Sequence, residues 1–123
     1  MSCHRQYDTV AFDVRDNAMM LFFAHTTKSG DIDDYLLLMR GQSDDFAPKI
    51  YIEVNEQQFA GHDLIREAQM RENTLTLHLR EPAKELDGAL EIVLSYAPTA
   101  ENKAVVEAGA FRVLGDCLSG GNA

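Results

Sequence analysis

Four histidines, two cysteines and twenty acidic side chains are the residues in this 123-residue chain best equipped for chemistry. A metal site written in a sequence shows as ligands at fixed spacing, such as two histidines four apart on one helix face. His4, His25, His62 and His78 stand far apart, and none pairs with a His, a Cys or a carboxylate at such a spacing. Cys3 and Cys117 lie near opposite ends and form no zinc or disulfide pattern. Ser119-Gly120-Gly121 has no helix after it, so it lacks the helix N-terminus that makes a glycine loop hold phosphate. Neither Ser43 nor Ser119 stands in a Gly-x-Ser-x-Gly turn between strand and helix. The expectation is a protein with no catalytic residue, no cofactor and no metal, whose function is carried by its surface.

The charge says what kind of surface. Twenty acidic residues against eleven basic ones give a net charge of −9 and a pI near 4.7. Phosphate binding relies on clustered Lys and Arg, so this balance argues against nucleic acid or an anionic membrane as partner and favours a cationic one. The acid is concentrated in the middle. Between Asp31 and Glu56 stand Asp31, Asp33, Asp34, Asp44, Asp45, Glu53 and Glu56, against Arg40 and Lys49. Read as a patch that steers a basic partner, the stretch offers Asp33, Asp34, Asp44 and Asp45 as contacts. Read as solvated loop carboxylates, it only keeps the protein soluble. Residues 1–7 lack the apolar core of a signal peptide, and the longest apolar run, Ala18 to Ala24, is too short for a membrane span. The expected location is the cytoplasm.

The elements that must position these residues are mostly strands. Val10, Phe12 and Val14 alternate with polar or small neighbours, and Arg15-Asp16-Asn17 reads as a turn into Met19 to Phe23. Tyr35 to Arg40 reads as a strand, followed by a polar loop from Gly41 to Pro48. Ile50, Ile52 and Val54 share one face, leaving Tyr51, Glu53 and Asn55 on the other. Ile65 to Met70 turns at Arg71-Glu72-Asn73 into Leu75, Leu77 and Leu79, with Thr74, Thr76 and His78 facing away. Leu90, Ile92 and Leu94 form a last inward row. After Pro98 the period becomes helical: Thr99 is the N-cap, and Val106, Ala110, Val113, Leu114 and Cys117 form a stripe with Ala104, Ala108 and Phe111 beside it. The expected architecture is one α+β domain, a mostly antiparallel sheet of about six or seven strands packed by a C-terminal helix. Its core runs from about 7 to 117, with residues 1–6 and 118–123 as loose ends.

The outward row Tyr51, Glu53, Asn55 and Gln57 unites a phenol, a carboxylate and two amides. On a half-buried sheet these are ordinary solvent-facing residues; tyrosine beside such groups also makes an interface anchor. Tyr35-Leu36-Leu37-Leu38-Met39-Arg40 and Tyr51-Ile52-Glu53-Val54-Asn55-Glu56-Gln57 together resemble the immunity protein 10 family of bacterial polymorphic toxin systems. In that family an apolar strand from Tyr to Arg precedes a Tyr-x-Glu-x-Asn/Asp-x-Gln stretch, then a glycine-containing loop, a hairpin and an acidic helical region. Gly61, Ile65, Leu75-Thr76-Leu77 and Glu101 to Leu114 follow in that order here, so the similarity spans roughly Ala18 to Leu114. Family members carry a glycine-rich stretch after the Gln, where this chain has Gln58-Phe59-Ala60-Gly61-His62-Asp63 with one glycine. The resemblance implies a non-enzymatic protein that occludes a cognate, basic protein toxin, with Tyr51, Glu53, Asn55 and Gln57 at the motif positions. The alternatives are a small adaptor that forms a homodimer through a sheet edge or the helix, and a small enzyme or metal-dependent domain assembled by the fold.

Overall fold

The computed structural model describes residues 2–41, 49–55 and 58–119, and within them the chain is an α+β fold of mostly antiparallel strands with one C-terminal α-helix. The strands are β1 (Ser2–Tyr7), β2 (Thr9–Arg15), β3 (Ala18–Thr26), β4 (Ile32–Gly41), β5 (Tyr51–Val54), β6 (Phe59–His62), β7 (Ile65–Arg71), β8 (Thr74–Ala83), β9 (Ala89–Tyr96) and the two-residue β10 (Leu118–Ser119). The helix α1 spans Ala100–Leu114. They form two sheets, in the orders β1-β9-β8-β7-β10 and β2-β3-β4-β5-β6. The pairs β1–β9 and β7–β10 run parallel, and the others antiparallel.

The two-residue period decides which side chains meet between the sheets. Leu21, Phe23, Leu36, Leu38, Ile52 and Val54 from the second sheet are fully buried in one cluster with Leu75, Leu77, Ile92 and Leu94 from the first. Phe23 bridges the layers, with its ring centroid 6.0 Å from that of Tyr7 and 6.2 Å from that of Tyr96. The β2–β3 turn works as the sequence implies: Asp16 and Asn17 both adopt positive φ, 50° and 63°, as a two-residue primed turn requires.

Thr99 caps α1, its hydroxyl accepting from the Asn102 backbone N–H at 3.0 Å. Val106, Gly109, Ala110, Val113 and Leu114 are the buried positions of the helix. Gly109 lets the helix axis approach the sheet, because a Cβ there would stand 2.8 Å from Leu21 Cδ1 and 2.9 Å from Phe12 Cδ1. Phe111, expected beside the buried stripe, is instead 73% exposed. Cys117 does not extend the stripe, because the helix ends at Leu114 and Gly115–Cys117 continue as a 3₁₀ turn.

Three further expectations are corrected. Residues 2–6 are not a loose end, since Ser2–Tyr7 is a strand paired along its whole length with β9, Ser2 opposite Glu91 and Tyr7 opposite Tyr96. Leu118–Ser119 likewise pair with β7. Leu90 does not continue the inward row of Ile92 and Leu94 but is 47% exposed. The pairing of β8 with β9 shifts between His78 and Ala83, and Leu90 falls at that irregularity, where Ala89 takes the buried place.

Candidate partner-binding face

The outer face of the second sheet is laid out by its register. One row across the strands runs Ala11, Phe22, Leu37, Glu53 and Ala60; the next runs Asp13, Met20, Met39, Tyr51 and His62. Tyr35 stands opposite Ala24, one row to the other side. Met20, Phe22, Tyr35, Leu37, Met39, Tyr51 and Glu53 are all partly exposed, in contrast to the polar outer face of the first sheet with His4, Gln6, Thr76, His78 and Gln69. A sheet face that carries methionines, aromatics and a leucine towards solvent has the composition of an interface core.

Glu53 sits within this face as its carboxylate. Tyr35 Oη donates to Glu53 Oε2, and Tyr51 Oη donates to Oε1 at 2.7 Å. The bonds from Tyr35 and then Tyr51 outweigh desolvation and hold the Glu53 carboxyl below its ordinary value of 4.5. The same bond to Glu53 raises the Tyr51 phenol. Because the folded-state pKa of Glu53 is depressed, the cluster contributes stability above pH 4.5 and loses it as pH falls through the lower folded value. Two ring pairs flank the carboxylate: Tyr51 with His62, centroids 4.9 Å apart, and Phe22 with Tyr35, 5.6 Å apart.

Asn55, expected beside Tyr51 and Glu53, is bound to the Tyr35 backbone. It ends β5 in the left-handed region at φ 48°, its Oδ1 accepts from the Tyr35 backbone N–H at 2.8 Å, and its own N–H donates to the Tyr35 carbonyl at 3.2 Å. Asn tolerates that conformation better than other non-glycine residues. Asn55→Ala is therefore expected to destabilise the fold by about 1–2 kcal/mol, measured by urea unfolding, and Asn55→Gly to lose less because it keeps the backbone geometry.

Of the acidic stretch, the structure describes Asp31, Asp33, Asp34 and Glu53. Asp33 and Asp34 are successive residues of β4 and engage different partners: Asp33 Oδ1 lies 2.7 Å from His25 Nδ1, and Asp34 Oδ1 accepts from Arg5 Nη2 at 2.6 Å. The bond to Asp33 raises the His25 pKa. Asp44, Asp45 and Gln57 lie outside the described residues.

Other polar groups meet at the first sheet. Ser2, Arg66, His78, Leu79, Arg80, Leu90 and Glu91 line a shallow depression of about 310 Å³. Glu91 stands between Ser2 and His78 there, accepting from the Ser2 hydroxyl and lying 3.4 Å from His78 Nδ1. A serine nucleophile needs the imidazole against its hydroxyl, and here the carboxylate takes that place. Among the described residues no group of three His, Cys, Asp or Glu side chains is placed to hold a metal ion, and no helix is long and apolar enough to cross a membrane.

The sequence singled out Tyr51 and Glu53 by their shared face but missed Tyr35, Phe22, Leu37 and His62. The signal for Tyr35 was present, since it shares the parity of Leu37 in its strand; the pairing of β4 with β5 that makes them neighbours of Glu53 was not. No protein-family model matches this chain, and a search of curated proteins finds no matching relative. The resemblance to the immunity protein 10 family accordingly stands on the motif residues and their order.

Proposed function

We propose that this protein is an immunity protein that binds a basic protein toxin and neutralises it by occlusion, without catalysis, through the outer face of β3, β4, β5 and β6. The observation that carries the reading is the partly exposed Met, Phe, Leu and Tyr surface around Glu53, to which the two segments that resemble the toxin-immunity family contribute Tyr35, Leu37, Met39 and Tyr51. Strands about 4.8 Å apart make such a face about 20 Å wide, the scale of an interface core inside a standard contact of roughly 800 Å² per partner. Affinity comes from a few desolvated anchors on this face, and the net charge of −9 adds speed of encounter and selects a cationic partner. A nuclease with a basic substrate groove fits that charge, as does any other cationic toxin.

The test is co-expression with the product of the neighbouring gene, scored by cell survival and co-purification. Rescue together with a stable complex supports the reading. A harmless neighbour that forms no complex removes it and favours the adaptor alternative, for which self-association is the signature.

A further inference from the structure

Among the described residues, Glu53 is an anion without a cation of its own. The ion pairs among the described residues engage Asp13, Asp33, Asp34, Asp63, Glu67 and Glu91, each with an Arg, Lys or His, and Glu53 is in none of them. What surrounds it is a pair of phenols in an apolar face. Each carboxylate oxygen accepts at two positions. Tyr35 fills one on Oε2 and Tyr51 one on Oε1, so each oxygen keeps one position open. An acceptor on each of two oxygens suits the planar fork of a guanidinium, whereas an ammonium is a point charge that matches it less well. The rings add to the match. Tyr51 and Tyr35 come from the rows on either side of Glu53, so a guanidinium drawn to the carboxylate would lie among the aromatic side chains of this face.

We infer that Glu53, flanked by Tyr35 and Tyr51, is the receptor for an arginine side chain of the toxin and the anchor of the interface. This inference rests on the reading of the face as the toxin-binding surface. The two phenols hold the carboxylate in place before the partner arrives, so little side-chain order is lost on binding. Removing one member of a desolvated charge pair acts mainly on dissociation, because the other charge is left buried and unpaired.

The test has two arms. In the first, wild-type protein, Glu53→Gln and Tyr51→Phe are compared for dissociation from the toxin encoded by the neighbouring gene. Glu53→Gln keeps the shape of the side chain and is expected to weaken binding on the order of 100-fold, mostly in the off-rate. Tyr51→Phe, which keeps the ring, is expected to cost only a few-fold. Wild-type binding with Glu53→Gln within threefold of it would overturn the arginine anchor and leave the toxin-binding reading standing. Failure of the wild-type protein to bind removes the toxin-binding reading instead. The second arm then decides the cation site alone. Capped Gly-Arg-Gly is titrated against the protein while the methyl resonances of Met20 and Met39 are followed, with Gly-Lys-Gly and the neutral citrulline peptide as comparisons. Shifts caused by the arginine peptide, smaller with lysine, absent with citrulline and absent in Glu53→Gln, support the site. Equal shifts with citrulline, or in Glu53→Gln, overturn it.

Discussion

Leu37→Arg is expected to abolish protection against the toxin while the protein remains folded. Leu37 lies directly opposite Glu53 on the outer face, and opposite side chains in an antiparallel pair stand about 5 Å apart at Cβ. The new guanidinium reaches the Glu53 carboxylate, fills the acceptor positions left open by Tyr35 and Tyr51, and puts a positive charge where a basic partner must dock. The partner meets both a blocked anion and a like charge, and like charges juxtaposed across an interface cost several kcal/mol. A loss of at least about 100-fold in affinity is expected, roughly 2.7 kcal/mol. The cost to the fold is expected to stay within about 1 kcal/mol, because Leu37 is partly exposed and on the solvent side of its strand. Leu37→Met serves as the control, with binding and melting temperature near wild type. Survival on co-expression and the affinity of the purified pair read the effect.

The second large effect is on stability, at the segment least visible in the sequence. Arg5 on β1 reaches across to β4 and donates to Asp34 at 2.6 Å, with side-chain exposures of 14% and 30%. It also donates to Tyr7 Oη at 2.8 Å and approaches Cys3 Sγ at 3.6 Å. Burial opposes the Arg5 charge, and the bond to Asp34 with those to Cys3 and Tyr7 more than offsets it, so the guanidinium holds its proton more firmly than usual. Burial likewise pushes the Tyr7 phenol up. Arg5→Leu removes the cation and leaves Asp34 half-buried and unpaired. The expected cost is about 2–3 kcal/mol, below the value for a fully buried pair because water still reaches Asp34. For a domain of this size that is on the order of a 10 °C fall in melting temperature. Arg5→Leu combined with Asp34→Leu is expected to recover at least half of the loss, because an apolar pair leaves no orphaned charge. A double variant no more stable than Arg5→Leu alone would show that the pair is not what ties β1 to the second sheet.

These two predictions draw on different degrees of legibility. The β2–β3 and β7–β8 hairpins, the β5 row and the capped helix were readable because each depends on local signals: alternation, turn residues and an N-cap hydroxyl. β1 was not, because Ser-Cys-His-Arg-Gln-Tyr hides its inward face. Cys3, Arg5 and Tyr7 point inward, and an arginine at a core-facing position makes sense only with Asp34 opposite it. Its pairing is with β9, with Ser2 opposite Glu91, and no short-range pattern announces so distant a partner. The division of the strands into two sheets was hidden for the same reason: alternation tells which side chains share a face, not which strands lie side by side.

The face itself was half legible. Tyr51 and Glu53 share a side by parity, but Tyr35 joins them only through the register of β4 against β5. Asp33 and Asp34 are adjacent in a strand, so their side chains must leave on opposite sides, and each finds a basic partner of its own. Counting carboxylates along the chain does not reveal that these two diverge, and among the described acids of the stretch Asp31 and Glu53 are in no ion pair.

The central claim, that the outer face of the second sheet is where the toxin binds, is tested most directly by hydroxyl-radical footprinting of the protein alone and in complex with the toxin. Met20, Met39, Phe22, Tyr35, Tyr51 and His62 lie together on that face and are side chains that oxidise readily. His4 and His78 on the outer face of the first sheet, and exposed Phe111 on α1, provide internal references. Oxidation of Met39, Tyr51 and their neighbours should fall several-fold in the complex while His4, His78 and Phe111 are unchanged. A complex that protects cells yet leaves Met39 and Tyr51 oxidising at the free rate, with protection on the first sheet or the helix, would contradict the account.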